Sequence, residues 1–198
     1  MVHNLVDRAG MGILRMGLRS LMYGRGFPQF QEAPGSVEVT MDAQFLRPAI
    51  TVLALDNQDR YGIPELLILN SVFERGYVSV RVLEEQLRRL VPSPWDALQH
   101  AVDRITAVEF CGSSEGVFVR VSREWMELLD VSRVFRVSSN SHKHVDLYKY
   151  LKRHGDASNA DIRDVLDHSY SSQTSRFLRD AKYVERKGSG PSARWSLI

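Results

Sequence analysis

The sequence is short of the features that identify a protein most directly. Its 198 residues hold one cysteine, Cys111, which excludes an internal disulfide and a cysteine-built zinc site and fits a reducing compartment. No run approaches the roughly 20 apolar residues that a membrane-spanning helix needs. The longest apolar patch, Ile63 to Val72, is broken by Pro64, Glu65 and Asn70 and reads as a core helix. Arg8, Arg15, Arg19 and Arg25 stand against one acid, Asp7, near the N-terminus. That balance is faintly like a transit peptide, but the continuous apolar stretch of a secretory signal is missing. A cytoplasmic protein with no membrane partner is the expectation.

Catalytic sets are equally scarce. There is no Walker A lysine motif, no Walker B acidic pair and no Ser-His-Asp or Cys-His set, so no catalytic residue is assigned and no enzyme is expected. Glu84 and Glu85 are adjacent on a helix and do not face each other. His142 and His144 in "SHKH" lack a nearby cysteine or clustered acids and make a poor metal site. They read as residues of the linker or of the helix start, and no metal or cofactor is expected.

What is present is an ordered alternation of helix and strand signals. Residues 1–48 open with Ile13, Leu14, Leu18, Leu21 and Met22 at helical spacing. Pro28, Pro34 and Gly35 break that pattern, and "SVEVTM" alternates as a half-buried strand. In residues 49–132, "IPELLILNSVFERG" starts beside Pro64 and stops at Gly76. "YVSVRVLEEQLRRL" gives a second helix with Val82, Leu83 and Leu87 on one face. A third follows, with Ser93 as N-cap, Pro94 at its first position and Trp95, Leu98, Val102 and Ile105 inward. "VEFCGSSEGVFVRV" is then a hairpin, and "SREWMELLD" a closing helix.

Residues 141–198 repeat the plan in shorter form. Val145, Tyr148 and Leu151 define a helix that ends at Gly155, and Ser158 with Asp161 caps a second that buries Ile162, Val165 and Leu166. "SSQTSRFLRDAKYV" is the third, with Phe177, Leu178 and Ala181 inward. A two-stranded wing surrounds "KGSGPS". The expected fold is α+β, mainly helical: tandem winged-helix modules behind a short N-terminal helix-strand remnant.

Charge separates the two modules. Ser141 to Ile198 carries eleven bases against seven acids, a surplus of four. The whole chain has a surplus of only two, so residues 1–140 are net −2. A polyanion would dock at the C-terminal end. In a helix-turn-helix the third helix enters the major groove. With Phe177, Leu178 and Ala181 inward, Gln173, Ser175, Arg176, Arg179 and Lys182 face outward. Arg can bond guanine and Gln adenine, while Ser171 and Ser172 suit phosphate at the helix start. Arg186, Lys187 and Arg194 extend the basic face into the wing. The acids Asp180 and Glu185 lie in the same stretch. In the first module the third helix exposes Asp96, Gln99, His100, Asp103 and Arg104, and its wing adds Glu115. That surface would meet phosphate badly and is assigned to packing.

The glycines of "DRAGMGILRMG" fit neither the Rossmann fingerprint nor the P-loop, and a helix start with a glycine packing contact is the plainer reading. The stretch nevertheless resembles part of a known family. Arg8, Gly10, Gly12, Ile13 and Arg15, followed by Pro28, Phe30 and "SVEVTM", are similar to the C-terminal portion of certain bacterial DNA-binding transcriptional regulators. These begin with a Schlafen/AlbA-type domain and continue with a region related to the C-terminal part of proteins called RecG-like helicases. The actinobacterial members with paired C-terminal winged helices are the nearest in plan. The resemblance implies that residues 1–48 end a GHKL-like region. Gly10 and Gly12 would then be the glycine lip of a nucleotide site whose other residues lie upstream, and the chain alone should not hydrolyse ATP.

Double-stranded DNA is therefore the expected partner, with a homodimer as the expected assembly because such regulators often read pseudo-palindromes. Two alternatives stay open: a protein-interaction scaffold, and a regulatory part of a nucleotide-binding protein related to helicases.

Overall fold

The computed structural model describes residues 3–41, 48–129 and 137–198. The chain is α+β and about half helical, with three small sheets among the described residues. It divides into two compact units, Met1–Glu109 with Val121–Val134, and Phe110–Arg120 with Phe135–Ile198.

In the first unit α1 (His3–Met22) packs on α3 (Ile63–Arg75) through its C-terminal turns. Leu21 is buried there, and the buried Asn70 side chain donates to the Leu21 carbonyl at 2.9 Å and to the Leu66 carbonyl at 2.8 Å. Ile13 and Leu14, which belong to the helical pattern, are exposed. Strands β1 (Gln29–Ala33) and β2 (Ser36–Thr40) pair antiparallel from Gln29↔Thr40 to Ala33↔Ser36, turning at Gly35 with φ +77°. The half-buried strand expected from "SVEVTM" is exposed along its whole length, Val37 and Val39 included. Two strands form a single layer, and of the ten residues in these strands only Phe30 is half-buried.

Helix α2 (Pro48–Asp56) buries Ile50, Leu53 and Ala54 and leaves Val52 and Leu55 exposed. Helix α3 is enclosed by α1, α2, α4 (Val80–Arg88) and α5 (Pro94–Arg104). The Glu65 carboxylate accepts from the Gly62 N–H at 2.9 Å, and Gly76 ends the helix at φ +79°. The expected second helix is shorter at its start: Tyr77–Ser79 is a strand, β3, and Ser79 caps α4. That start turns Val80, Leu83 and Leu87 inward and leaves Val82 exposed, correcting its expected place on the core face. Helix α5 buries Leu98, Ala101 and Val102, but the Ser93 hydroxyl makes no capping bond. Strands β4 (Val108–Ser113) and β5 (Gly116–Val121) form the hairpin, with sheet order β3-β5-β4, and α6 (Arg123–Leu129) follows.

In the second unit the order is α7 (Ser141–His154), β6 (Asp156–Ser158), α8 (Asn159–Val165), α9 (Ser171–Asp180), β7 (Val184–Lys187) and β8 (Arg194–Leu197). The sheet order β6-β8-β7 repeats that of β3-β5-β4. Both runs thus read helix, short strand, two helices, hairpin, and in both the short strand pairs with the last strand of the hairpin. Ser158 and Asp161 form the expected capping box on α8, with bonds of 2.9 Å and 3.2 Å between each side chain and the other's backbone N–H. Leu147, Leu151, Ile162 and Leu178 are the fully buried centre of the unit.

Candidate nucleic-acid interface

Helix α9 buries Thr174 and Leu178 on one side. That phase exposes Ser171, Ser172, Gln173, Arg176 and Arg179, and leaves Ser175 half-buried. Phe177 is half-buried, its ring 4.4 Å from the His144 ring, and Ala181 is buried. The helix ends at Asp180, one turn earlier than the expected "SSQTSRFLRDAKYV". Lys182 consequently lies beyond it rather than on its outer face.

The basic residues divide into those answered by an acid and those that are not. Lys182 Nζ is 2.7 Å from Glu115, Lys187 Nζ is 3.2 Å from Glu185, and Arg194 Nε donates to Asp156 at 2.6 Å. All three pairs are largely exposed, so each stabilises by no more than about 1 kcal/mol, but each offsets the charge that its base would offer to a polyanion. Arg176, Arg179 and Arg186 make no ion pair among the described residues. Arg186 donates only to the Gly190 carbonyl, at 3.4 Å. The footprint therefore contracts from six bases to an arginine trio on α9 and β7.

Two members of that trio, Arg179 and Arg186, line a cleft of about 700 Å³ between α9 and the β7–β8 loop. Ser171, Ser175, Asn159 and Trp195 line it too, and no acid does. Asn159, absent from the sequence expectations, joins the two serines. Its Nδ2 donates to Ser175 Oγ at 3.0 Å, and its Oδ1 accepts from Ser171 Oγ at 3.3 Å. No local pattern links residues 159 and 175; only the packing of α8 on α9 does. A somewhat larger cleft in the first unit, about 790 Å³, mixes Arg25 and Arg89 with Glu74 and Glu85 and offers a polyanion no net attraction.

All of the β4–β5 hairpin from Phe110 to Arg120 belongs to the second unit. Gly112 N–H donates to Ser141 Oγ at 2.8 Å, the Ser114 carbonyl accepts from the Lys182 N–H at 2.7 Å, and Lys149 Nζ stands 4.9 Å from the centre of the Phe110 ring. A side chain at Gly112 would meet the Ser141 carbonyl at 2.8 Å and the His144 Cβ closer still. His144 lies in the first turn of α7, as its reading as a helix-start residue expects, and it is buried, with Nδ1 2.9 Å from Tyr183 Oη. Burial lowers its pKa to about 4, so it is neutral at pH 7. Burial likewise pushes the Tyr183 hydroxyl up. His142 is exposed on the same helix and points elsewhere.

Gly10 and Gly12 lie inside α1 and not in a loop. Their backbone N–H groups sit well beyond the first turn, where the helix itself uses them, so they form no glycine lip for a nucleotide phosphate. Nor is Gly12 a packing contact, since a side chain there would meet nothing within 4 Å; Gly17, against the Phe27 ring, is the close one. On α5, Asp96, His100 and Asp103 are exposed, while Arg104 pairs with the buried Glu65 at 3.1 Å and donates to the Arg60 carbonyl. Among the described residues no three His, Cys, Asp or Glu side chains cluster as metal ligands, and no helix is long and apolar enough to cross a membrane.

No protein-family model and no curated protein matches the chain. Among solved structures, the DIP2311 protein from Corynebacterium diphtheriae is similar at 19% identity and a TM-score of 0.46, over 96% of this chain and 36% of that one.

Proposed function

We propose that the chain is a DNA-binding protein, and that both its helix, strand, helix, helix, hairpin runs are winged helices of which the second reads duplex DNA. The observation that carries this is the arginine trio: Arg176, Arg179 and Arg186 stand on the third helix and the wing, where a groove and its flanking backbone are met together. The first module offers acids at the corresponding place, and its one base on α5, Arg104, is tied to Glu65. Transcriptional regulation is the role that the resemblance to Schlafen/AlbA-type regulators supports, in the cytoplasm and without catalysis by this chain.

Fluorescence anisotropy of the full chain with a mixed-sequence duplex at two salt concentrations tests the reading. Binding at low salt that weakens steeply as salt rises is expected. Failure to bind at low ionic strength would sink it. A protein partner, a second copy of the chain among them, is favoured by a separate observation. Ile13, Leu14, Met16, Val52 and Leu55 of the first unit are all exposed, and apolar side chains of α1 and α2 are what a partner helix would cover. Sedimentation of the free chain distinguishes monomer from dimer.

A further inference from the structure

We infer that the cleft between α9 and the β7–β8 loop seats a single DNA backbone phosphate with its deoxyribose, held by Arg179, Arg186 and the Ser175 hydroxyl and kept in shape by Asn159. The inference rests on the DNA-binding reading and deepens it. Arg179 comes from the last turn of α9 and Arg186 from β7, so the two cations approach one space from two elements. Arg186 uses one N–H on Gly190, and a guanidinium has five. A phosphate only accepts hydrogen bonds, and two arginines free of carboxylates supply donors and charge together.

The hydroxyl chemistry points the same way. Ser175 Oγ already accepts from Asn159 Nδ2, so its own proton remains for an acceptor in the cleft. Asn159 Oδ1 accepts from Ser171, which fixes the amide's orientation and so decides that Nδ2 is the end facing Ser175. Asn159 is thus a positioning residue that acts through Ser175. The remaining wall, Trp195 and Ala193, is uncharged. It suits the carbons of a sugar and not a second phosphate. Arg179 is thereby placed on the backbone, which carries no sequence information. Arg176 and Gln173, exposed nearer the start of α9, are left to read base edges.

Anisotropy titrations of the full chain with a short fluorescein-labelled duplex, repeated across a salt series, test this. Arg179→Ala and Arg186→Ala should each weaken binding about tenfold at low salt and reduce the salt slope by about one. Because both hold the same phosphate, the double variant should lose about one unit of slope and not two. Asn159→Ala should weaken binding a few-fold with the slope unchanged. Asn159→Asp, which cannot donate to Ser175, should weaken it further. Arg163→Ala, on α8 and paired with Asp164, should change neither quantity. Circular dichroism confirms that each variant is folded, and Asn159→Ser, which keeps a polar donor, covers a misfolded alanine variant. If the wild type binds but the two arginine variants match it, or their slope losses add in full, the shared phosphate seat is wrong while the DNA reading stands. If the wild type does not bind at low salt, both fall.

Discussion

Lys182 is held twice by the hairpin tip, its ammonium 2.7 Å from the Glu115 carboxylate and its backbone N–H 2.7 Å from the Ser114 carbonyl. The base that the sequence places on the outer face of the third helix is therefore answered by an acid from a hairpin 67 residues earlier. Both side chains are more than half exposed, so the pair adds little to stability. Its larger consequence is the charge that it withholds.

Removing the Glu115 charge should release that cation. Glu115→Gln is expected to raise low-salt affinity for duplex about two- to fivefold and to steepen the salt dependence by about one phosphate. Lys182→Ala in the wild-type background should cost much less than Arg179→Ala. Anisotropy across a salt series reads both. An unchanged slope in Glu115→Gln would mean that Lys182 does not face the DNA even when free.

His144 makes the fold sensitive to mild acid. Its folded pKa of about 4 lies below the ordinary value of 6.5, so the unfolded chain binds the proton more readily. Stability is complete above pH 6.5 and is lost as pH falls from there toward 4. Between pH 7 and pH 5 the loss is about 2 kcal/mol. Burial also lowers the His168 pKa, which adds in the same direction. Asp161, held low by its bonds to Ser158, loses its contribution only below the ordinary carboxylate value and so leaves this window clear. Urea titrations at several pH values should show the loss, and His144→Gln should flatten the profile between pH 7 and pH 5 while lowering the plateau.

Asp167 is the one non-glycine residue with positive φ among the described residues, at +49°. It follows α8 in a Schellman turn: its N–H bonds the Asp164 carbonyl at 3.3 Å, and the next N–H, of His168, bonds the Arg163 carbonyl at 3.0 Å. Aspartate tolerates that conformation better than most residues but less well than glycine. Asp167→Gly should stabilise the chain by about 0.5–1 kcal/mol, and Asp167→Val should destabilise it by more than that. Thermal melts decide, and a lower melting temperature for the glycine variant would count against the turn as described.

The parts of this fold that show in the sequence are those governed by neighbours in the chain. Pro64 and Gly76 bracket α3, and Ser158 with Asp161 starts α8, because capping needs only residues a few positions apart. Strands β3 and β6 are three residues each, too short to display alternation, and they exist because distant β5 and β8 pair with them. The phase of α4 depends on β3, which is why Val82 points outward. At the candidate interface, Arg176, Arg179 and Arg186 follow from the helical period of α9 and the basic strand β7. The link from Asn159 to Ser175, and the acids opposite Lys182 and Arg194, are set by tertiary packing and have no local signature.

Gly112 shows how tightly the hairpin tip is fitted. Its φ is unexceptional, so the demand is for space and not for backbone freedom. An added methyl group would press on the Ser141 carbonyl and the His144 Cβ, both on the first turns of α7, where the backbone cannot yield without moving the helix. The same glycine donates to Ser141 Oγ, and that bond must stretch if the strand retreats. Gly112→Ala should therefore destabilise the chain by about 1–3 kcal/mol. Ser141→Ala, which leaves the Gly112 N–H buried without a partner, should cost about 1–3 kcal/mol. Because both changes disrupt one contact, their combination should cost less than the sum. Urea unfolding of the two single variants and the double variant checks this, and full additivity would show that the methyl group and the hydroxyl act at separate places.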